Sequence, residues 1–243
     1  AASEDAATTA SEDAATTASD AWHAVLRTPF VVAFDRTVVP IAEAPRDWID
    51  VLHHAWYDGV RVMDPAGTKE GAYFAGAVLV EALRDDDDLV RGFDWLARLD
   101  EQVDLYVAGT DELIGALERG DALLAILPMA DAERARAERA PWLHYRVPSS
   151  GTPALTLGVA IVQGAAHADA ARAFVDYLGT TGAATAAKLR TRWDPVAGSV
   201  DESVLPPDFE LVDRWTAYPL AVDTLIAELP GWIERWEEEV RTR

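Results

Sequence analysis

The stretch at residues 60–71, VRVMDPAGTKEG, constrains the fold more than any other part of this chain. Its apolar first part is typical of a buried strand, and Asp64 and Pro65 end that strand. A Gly-Thr-Lys turn then leads into an Ala-rich helical segment. Backbone N–H groups stay unpaired at a helix N-terminus, and the helix dipole adds positive potential there. The stretch therefore predicts an anion-binding turn within an α/β protein.

Apolar runs of strand length alternate with amphipathic helical segments along most of the chain. The predicted strands are at residues 30–34, 60–63, 104–107, 123–127, 143–147 and 155–162. The predicted helices are at residues 46–54, 71–84, 89–99, 111–119, 131–139, 168–178, 182–191 and 230–241. This alternation is typical of α/β proteins with a largely parallel sheet. Thr110 is the expected N-cap of the helix at 111–119, and Gly120 its expected stop.

The chain is strongly acidic, with 42 Asp and Glu against 21 Lys and Arg and a net charge of −21. This balance argues against nucleic acid and anionic membrane surfaces as partners, because both attract basic proteins. Solubility or a salty medium explains the acidity, and steering toward a basic partner is the alternative. No segment approaches the ~20 apolar residues of a membrane span. The absence of Cys excludes disulfides and thiolate metal sites.

Residues 1–20 contain an acidic tandem repeat in which ASEDAATT occurs twice. The repeat has no large apolar side chain, so it cannot bury enough surface to offset its ordering entropy. This composition favours a flexible linker or tail. A tail that is ordered by a docking partner is the alternative.

No recognised catalytic or cofactor motif occurs in the sequence. It lacks the G-x-S-x-G nucleophile elbow, the H-E-x-x-H zinc motif, the P-loop and the dinucleotide fingerprint. We therefore predict that the chain is not an enzyme and has no catalytic residues, no metal site and no cofactor.

Six segments, taken in order, identify a family. They are PFVVAFD at 29–35, PRDWIDVL at 45–52, the strand and turn at 60–68, LIGALERGDALLAI at 113–126, the strand and helix at 154–178, and WIERW at 232–236. In this order they resemble the type II solute-binding proteins of ABC transporters, a two-lobed class that includes ferric-iron, polyamine and phosphonate binders. The resemblance implies an α/β, periplasmic-binding-protein-like fold and a periplasmic or extracellular location.

The resemblance also implies a division into one complete lobe and one partial lobe. Residues 1–20 would form the tail, 21–44 a crossing segment, 45–150 the complete lobe, and 151–243 the recrossing strand with the remnant of the other lobe. In the family the first lobe begins with a further βαβ half. Here residues 1–20 stand in its place, so this half of the lobe is expected to be missing.

In this family a solute binds in the cleft between the lobes. The residues that the resemblance suggests as ligand donors are Gly67, Thr68, Lys69, Ser149, Ser150 and Thr152. Helix capping by Thr68 and a solvated Lys69 are the alternatives. The iron binders carry a Tyr pair where this chain reads PMAD at 128–131, so we do not expect ferric iron.

Two functions are consistent with these patterns. The first is a non-catalytic accessory subunit that docks on another protein, such as a membrane-bound assembly. Its interface candidates are Trp232 and Trp236, which lie one helical turn apart. The second is an ABC-transporter receptor for a small anionic or polar solute. The sequence favours the first function, because a cleft that lacks most of one wall encloses a solute poorly.

Overall fold

The computed structural model describes residues 22–86, 88–185, 193–196 and 215–241. It divides into two compact units, of which the first combines the described residues of Ala1–Arg27 and Thr156–Leu211. The second unit combines Thr28–Leu155 with the described residues of Val212–Arg243. The C-terminal helix thus belongs to the second unit, whereas the sequence placed all of 151–243 in one remnant lobe.

The strands and helices follow the predicted alternation. The strands are β1 (Trp22–Asp35), β2 (Val60–Met63), β3 (Val103–Val107), β4 (Leu124–Pro128), β5 (Leu143–Arg146), β6 (Ala154–Ala160) and β7 (Asp194–Pro195). The helices are α1 (Trp48–Val51), α2 (Lys69–Asp86), α3 (Leu89–Asp100), α4 (Thr110–Arg119), α5 (Met129–Glu138), α6 (Ala168–Tyr177) and α7 (Val222–Glu239). A 3₁₀ turn, His54–Trp56, follows α1, and a π turn, Leu178–Gly182, follows α6. Most of the helix predicted at 182–191 lies outside the described residues.

The sheet of the second unit has the strand order β3-β2-β4-β1-β5. Strand β2 runs parallel to β3 and to β4, and β1 runs antiparallel to both β4 and β5. Four of these five strands therefore point the same way, and β1 alone opposes them. This confirms the predicted α/β fold with a mostly parallel sheet.

Two elements differ in extent from their predictions. Strand β1 begins at Trp22 rather than at residue 30, because its first half pairs with the distant strand β7 through Leu26 and Pro195. The helix predicted at 46–54 is divided by two local caps. The side chain of Asp47 caps α1, and that of His53 accepts from the backbone N–H of Ala55 to start the 3₁₀ turn.

The central strands of the second unit are buried on both faces. Every residue of β2 and of β4 is buried, and Phe30 to Phe34 of β1 are at most 1% exposed. The sequences of parallel strands that are covered on both faces are continuous apolar runs, without an alternation of apolar and polar residues. This is why these strands could be predicted from the sequence.

A second buried cluster joins α7 to α2 and α3. Trp232 and Trp236 lie in this cluster and are 6% and 1% exposed. The two side chains do share a helix face, but that face is packed against Leu79 and Phe93 in the core. The expectation that they form an exposed interface is therefore wrong, because α7 itself covers the surface that they would have presented.

Helix α7 starts at Val222 and runs through Pro230, whereas the sequence predicted a start at that proline. It approaches α2 closely, since a Cβ atom at Gly76 would lie 2.5 Å from Leu225. Tertiary packing against α2 thus extends the helix beyond its local signal. No helix in the described part of the chain is long and apolar enough to cross a membrane.

Candidate functional site

The second unit gathers three helix N-termini at one edge of its sheet. Strands β2, β3 and β4 run in parallel and end at this edge, and α2, α4 and α5 begin directly after them. Ligands of open α/β sheets bind outside the carboxyl ends of the strands, where helix N-termini offer N–H groups. We call this region the carboxyl edge, and it is our candidate site.

The turn between β2 and α2 is a compact loop built around Asp64. The carbonyl oxygen of Asp64 accepts from the backbone N–H of Thr68 at 2.8 Å, from its hydroxyl at 2.8 Å, and from the N–H of Gly67 at 3.2 Å. The Thr68 Oγ1 atom in turn accepts from the N–H of Gly71 at 3.0 Å. Thr68 therefore caps α2, and its hydroxyl is engaged within the chain.

Glycine is required at position 71 by close packing. A Cβ atom there would lie 2.6 Å from the carbonyl oxygens of both Met63 and Asp64. Backbone atoms cannot yield at that distance, so Gly71 lets α2 start directly against the end of β2.

Lys69 is the first residue of α2 and is exposed. No side chain in the described parts of the chain forms an ion pair with it. Lys69 therefore adds a positive charge to the first turn of α2, where the helix dipole has the same sign. Glu70, also in the first turn, carries the opposite charge.

Arg241 holds the same turn from the end of α7, which the sequence did not reveal. Its guanidinium lies 3.1 Å from Asp64 Oδ2, and it also lies over the Tyr106 ring, 5.4 Å from the ring centre. The two residues of the ion pair are 177 positions apart, so no local pattern could have predicted this contact. Asp64 is thus fixed by its own loop and by the C-terminal helix.

The N-termini of α4 and α5 are engaged by the chain's own polar groups. Thr110 is the first residue of α4 rather than its N-cap, and its hydroxyl donates to Asp131 of α5 at 3.1 Å. The N-cap is Gly109, which makes no side-chain cap. The buried Thr28 hydroxyl accepts from the N–H of Ala130 at 3.0 Å. The stop at Gly120 is confirmed, because this residue is left-handed with φ 71°.

Ser149 and Ser150 are bound to the start of α1. Both hydroxyl groups donate to the carboxylate of Asp47, and the Ser150 N–H donates to it at 2.8 Å. Partial burial alone would raise the pKa of Asp47, but these hydrogen bonds and the one from Trp48 N–H lower it below its ordinary value. Both serines therefore serve first to fix an ionised N-cap.

Thr152 belongs to the framework rather than to an accessible site. Its side chain is fully buried, and its hydroxyl donates to the carbonyl of Phe30 at 2.7 Å. Its backbone pairs with Thr216 and Tyr218. The hydroxyl is thus not available to a solute, in contrast to the expectation from sequence.

The two groups of predicted donors follow different strands of the second unit, β2 and β5. Tyr73 of α2 bonds to the start of β6, because its hydroxyl donates to the carbonyl of Ala154 at 2.5 Å. Burial raises the pKa of Tyr73, which keeps this donor protonated. In the described parts of the chain, no hydrogen bond joins Gly67, Thr68 or Lys69 to Ser149 or Ser150.

A cavity of about 620 Å³ opens beside Ser150, between α1, α2 and α3. Aromatic side chains line part of it, namely Trp48, Trp95 and Tyr218. Its volume is in the range of small-molecule pockets. The described residues contain no group of three His, Asp or Glu side chains that could hold a metal ion.

The sequence matches the profile of the family described as bacterial extracellular solute-binding protein, over residues 3–209. The chain belongs to this family. The probable ABC transporter periplasmic-binding protein y4fP of Sinorhizobium fredii is 28% identical over 240 residues, which cover 90% of this chain. The chain spans about 61% of the length of this relative. Family membership places the chain in the periplasm or outside the cell.

Solved structures of periplasmic binding proteins have the same fold. The fructose-6-phosphate-bound AfuA of Actinobacillus pleuropneumoniae has a TM-score of 0.69 at 20% identity, and covers 91% of this chain and 69% of its own. The apo ferric ion-binding protein A of Pasteurella haemolytica has a TM-score of 0.72 at 14% identity, with the same two coverages. A periplasmic thiamin binding protein has a TM-score of 0.67 at 16% identity, and covers 93% of this chain and 67% of its own. At these identities the likeness shows the fold, which is that of a partial periplasmic binding protein.

Proposed function

We propose that the chain is a substrate-binding receptor of an ABC transporter and that its solute is small and anionic or polar. The observation that carries this proposal is the family match over residues 3–209, together with a curated relative that is named as an ABC transporter binding protein. A permease of the same transporter would be the protein partner. No catalytic role is proposed, because the proteins that the chain resembles are named for binding.

The anionic character of the solute is inferred from the start of α2. This N-terminus follows a parallel strand, is capped by Thr68, and carries the exposed Lys69. Asp64, the acid within the turn, is paired with Arg241 at 3.1 Å, and the exposed Glu70 is the acid that remains in the first turn of α2. A phosphate, phosphonate or sulfate group fits this arrangement, because it would accept from the N–H groups of Lys69 and Glu70 and pair with the ammonium group of Lys69. The N–H groups of Gly67, Thr68 and Gly71 already have acceptors within the turn. AfuA, which shares the fold, was solved with a sugar phosphate.

The first hypothesis from sequence, a repurposed interaction subunit, has less support. Its candidate surface was the pair Trp232 and Trp236, and both side chains are buried. The structural neighbours described above are named for solutes or ions that they bind. We therefore favour the receptor.

Thermal unfolding in the presence of candidate solutes tests this function. A solute that binds only the folded chain stabilises it by about 2.7 kcal/mol at one hundred times its dissociation constant. We expect a rise in the unfolding midpoint with a phosphate ester, a phosphonate or sulfate, and none with a polyamine.

Lys69→Gln should remove most of this rise, because it deletes the ammonium group without disturbing the Thr68 cap. Arg119→Gln is the matched control, since it removes one exposed positive charge from the last turn of α4, at the end of that helix away from the carboxyl edge, and should leave the rise unchanged. No shift with any of these anions, or equal shifts in both variants, would contradict the proposal.

A further inference from the structure

Two open cavities of the second unit meet at the short helix α1. One is the cavity of about 620 Å³ between α1, α2 and α3. The other, of about 830 Å³, lies between α1, the 3₁₀ turn that follows it and the last turn of α3. Ile49 and Arg98 line both cavities, so the two are continuous there. We call the pair the α1 groove, and each half has the volume of a small-molecule pocket.

The smaller half of the α1 groove has aromatic walls that contacts within the chain hold in place. Trp48 is buried, its indole N–H donates to the carbonyl of Gly151 at 2.8 Å, and its ring meets that of Trp95 edge-on with ring centres 6.3 Å apart. Tyr218 packs over Gly151, where a Cβ atom would lie 3.1 Å from its ring. Because these rings are fixed before any ligand arrives, a flat ligand would lose little free energy in ordering them.

The junction of the two halves is apolar and rigid. Ile49 is 57% exposed there, although its neighbour Trp48 is 6% exposed. Helix α3 approaches α2 so closely at Gly92 that a Cβ atom would lie 2.8 Å from Leu79, so this wall cannot move inward to fill the space. A ligand in the groove would therefore cover apolar surface that the chain itself leaves in water.

The larger half of the α1 groove carries arginines that lack a carboxylate partner. Arg46 and Arg98 are exposed, and in the described ranges no side chain forms an ion pair with either guanidinium group. Most arginines of the second unit do have such a partner, as Arg61 has in Asp104. Arg91 adds a third positive charge to the smaller half. A guanidinium group binds a carboxylate through two parallel N–H donors, which makes a carboxylate the matching ligand group.

Five acidic side chains also line the α1 groove, but three of them are engaged within the chain. Asp47 and Asp50 accept hydrogen bonds from backbone N–H groups at the start of α1. Glu81 pairs with an arginine of its own helix at 2.6 Å. Glu43 and Asp94 remain, one in each half. The acids therefore do not cancel the attraction of the arginines for an anion.

We propose that the α1 groove is a second binding site and that its ligand is a small aromatic carboxylate. The carboxylate pairs with Arg98 and Arg46, and the ring lies against Trp95 and Ile49. The site is separate from the start of α2, because Lys69 lines neither half of the groove. An organic cation is a poorer occupant, since the arginines would repel it.

Titration calorimetry of the whole chain with 2-naphthoate tests this site. The matched compound is naphthalene-2-methanol, which has the same ring system and no charge. We expect saturable one-to-one binding of the carboxylate, and binding of the alcohol that is weaker by about tenfold or more. No binding of 2-naphthoate, or equal affinity for the two compounds, would overturn the proposal.

Single substitutions locate the ligand. Arg98→Gln and Arg46→Gln should each weaken 2-naphthoate binding by about tenfold, and both positions are exposed, so these variants should fold. Glu43→Gln should strengthen binding, because it removes a repelling charge from the same half of the groove. Arg119→Gln is the matched control and should bind like the parent chain. Binding that Arg98→Gln leaves unchanged would overturn the proposal.

Lys69→Gln separates this site from the proposed solute site. It should leave 2-naphthoate binding unchanged, because the two sites share no residue. Loss of 2-naphthoate binding in Lys69→Gln would place the ligand at the start of α2 and overturn the second site. A chain that binds 2-naphthoate through Arg98 but binds no phosphate, phosphonate or sulfate compound would contradict the receptor proposal and support this one.

Discussion

At the scale of single residues, the hydrogen bonds of Asp47 define the start of α1. Its carboxylate caps Trp48 and accepts from Ser149 and Ser150, which lie about a hundred residues further along the chain. The sequence suggested these serines as solute donors because their hydroxyl groups lie near the recrossing of the chain. It could not show that an N-cap far away in sequence engages them.

We predict that Asp47→Asn lowers stability at neutral pH by about 1 kcal/mol, since it weakens the cap and the two serine contacts. The folded chain lowers the pKa of Asp47, so the ionised side chain stabilises the fold above the unfolded pKa of about 4 and this contribution is lost as pH falls through the folded value. Chemical unfolding of parent and variant from about pH 7 to pH 2 should therefore converge at low pH. A constant difference would contradict this account, and Asp94→Asn, at an exposed position of α3, is the control.

Gly71 is a second residue on which the geometry of the candidate site depends. Gly71→Ala should cost about 1–3 kcal/mol, because the added Cβ atom would overlap two carbonyl oxygens at 2.6 Å. Gly231→Ala, within α7, is the matched control, since a Cβ atom there meets nothing within 4 Å and Ala favours helix, so stability should not fall. Urea unfolding measures both. Equal changes in stability in the two variants would show that the start of α2 does not pack against the end of β2 as closely as described.

At the scale of elements, α7 and the residues that follow it contact several other elements of the second unit. Trp236 is 1% exposed, and its ring meets that of Tyr106 edge-on with ring centres 5.1 Å apart. The helix ends at Glu239, and Arg241, two residues beyond it, binds the β2–α2 turn. A helix that the sequence placed in the other lobe thus supports the candidate site.

Trp236→Ala should therefore destabilise the chain by about 3–5 kcal/mol, the range for a buried Trp, and broaden or abolish cooperative unfolding. Ile226→Ala on the exposed side of the same helix should cost less than about 0.5 kcal/mol. Differential scanning calorimetry compares the two variants. A small loss of stability in Trp236→Ala would contradict the burial of this side chain and would favour the exposed interface that the sequence suggested.

Elements with strong local signals could be predicted, and elements made by distant contacts could not. Strands β2 and β4 were recognised because both of their faces are buried, and the end of α4 because Gly120 is left-handed. The first half of β1 was missed because it depends on β7. The buried hydroxyl of Thr152 was missed because Phe30, its acceptor, is far away in sequence. For the candidate site, the turn at Gly67 and Thr68 was predictable, and the role of Arg241 was not.

At the scale of the whole molecule, the excess of acidic residues dominates the electrostatics. A net charge of −21 produces self-repulsion in the folded state, which mobile ions screen. We expect the thermal midpoint to rise as NaCl increases from about 0.05 M to about 1 M. A midpoint that falls over this range would mean that local ion pairs, such as Arg61–Asp104, outweigh the repulsion.

The central claim is that the start of α2 binds an anionic solute, and titration calorimetry with a phosphate ester tests it most directly. We predict saturable one-to-one binding that weakens by about tenfold or more when Lys69 is replaced by Gln, whereas Arg119→Gln should bind like the parent chain. Binding should also weaken as salt increases. Saturable binding that is indifferent to Lys69, or no binding of any phosphate, phosphonate or sulfate compound, would contradict the claim.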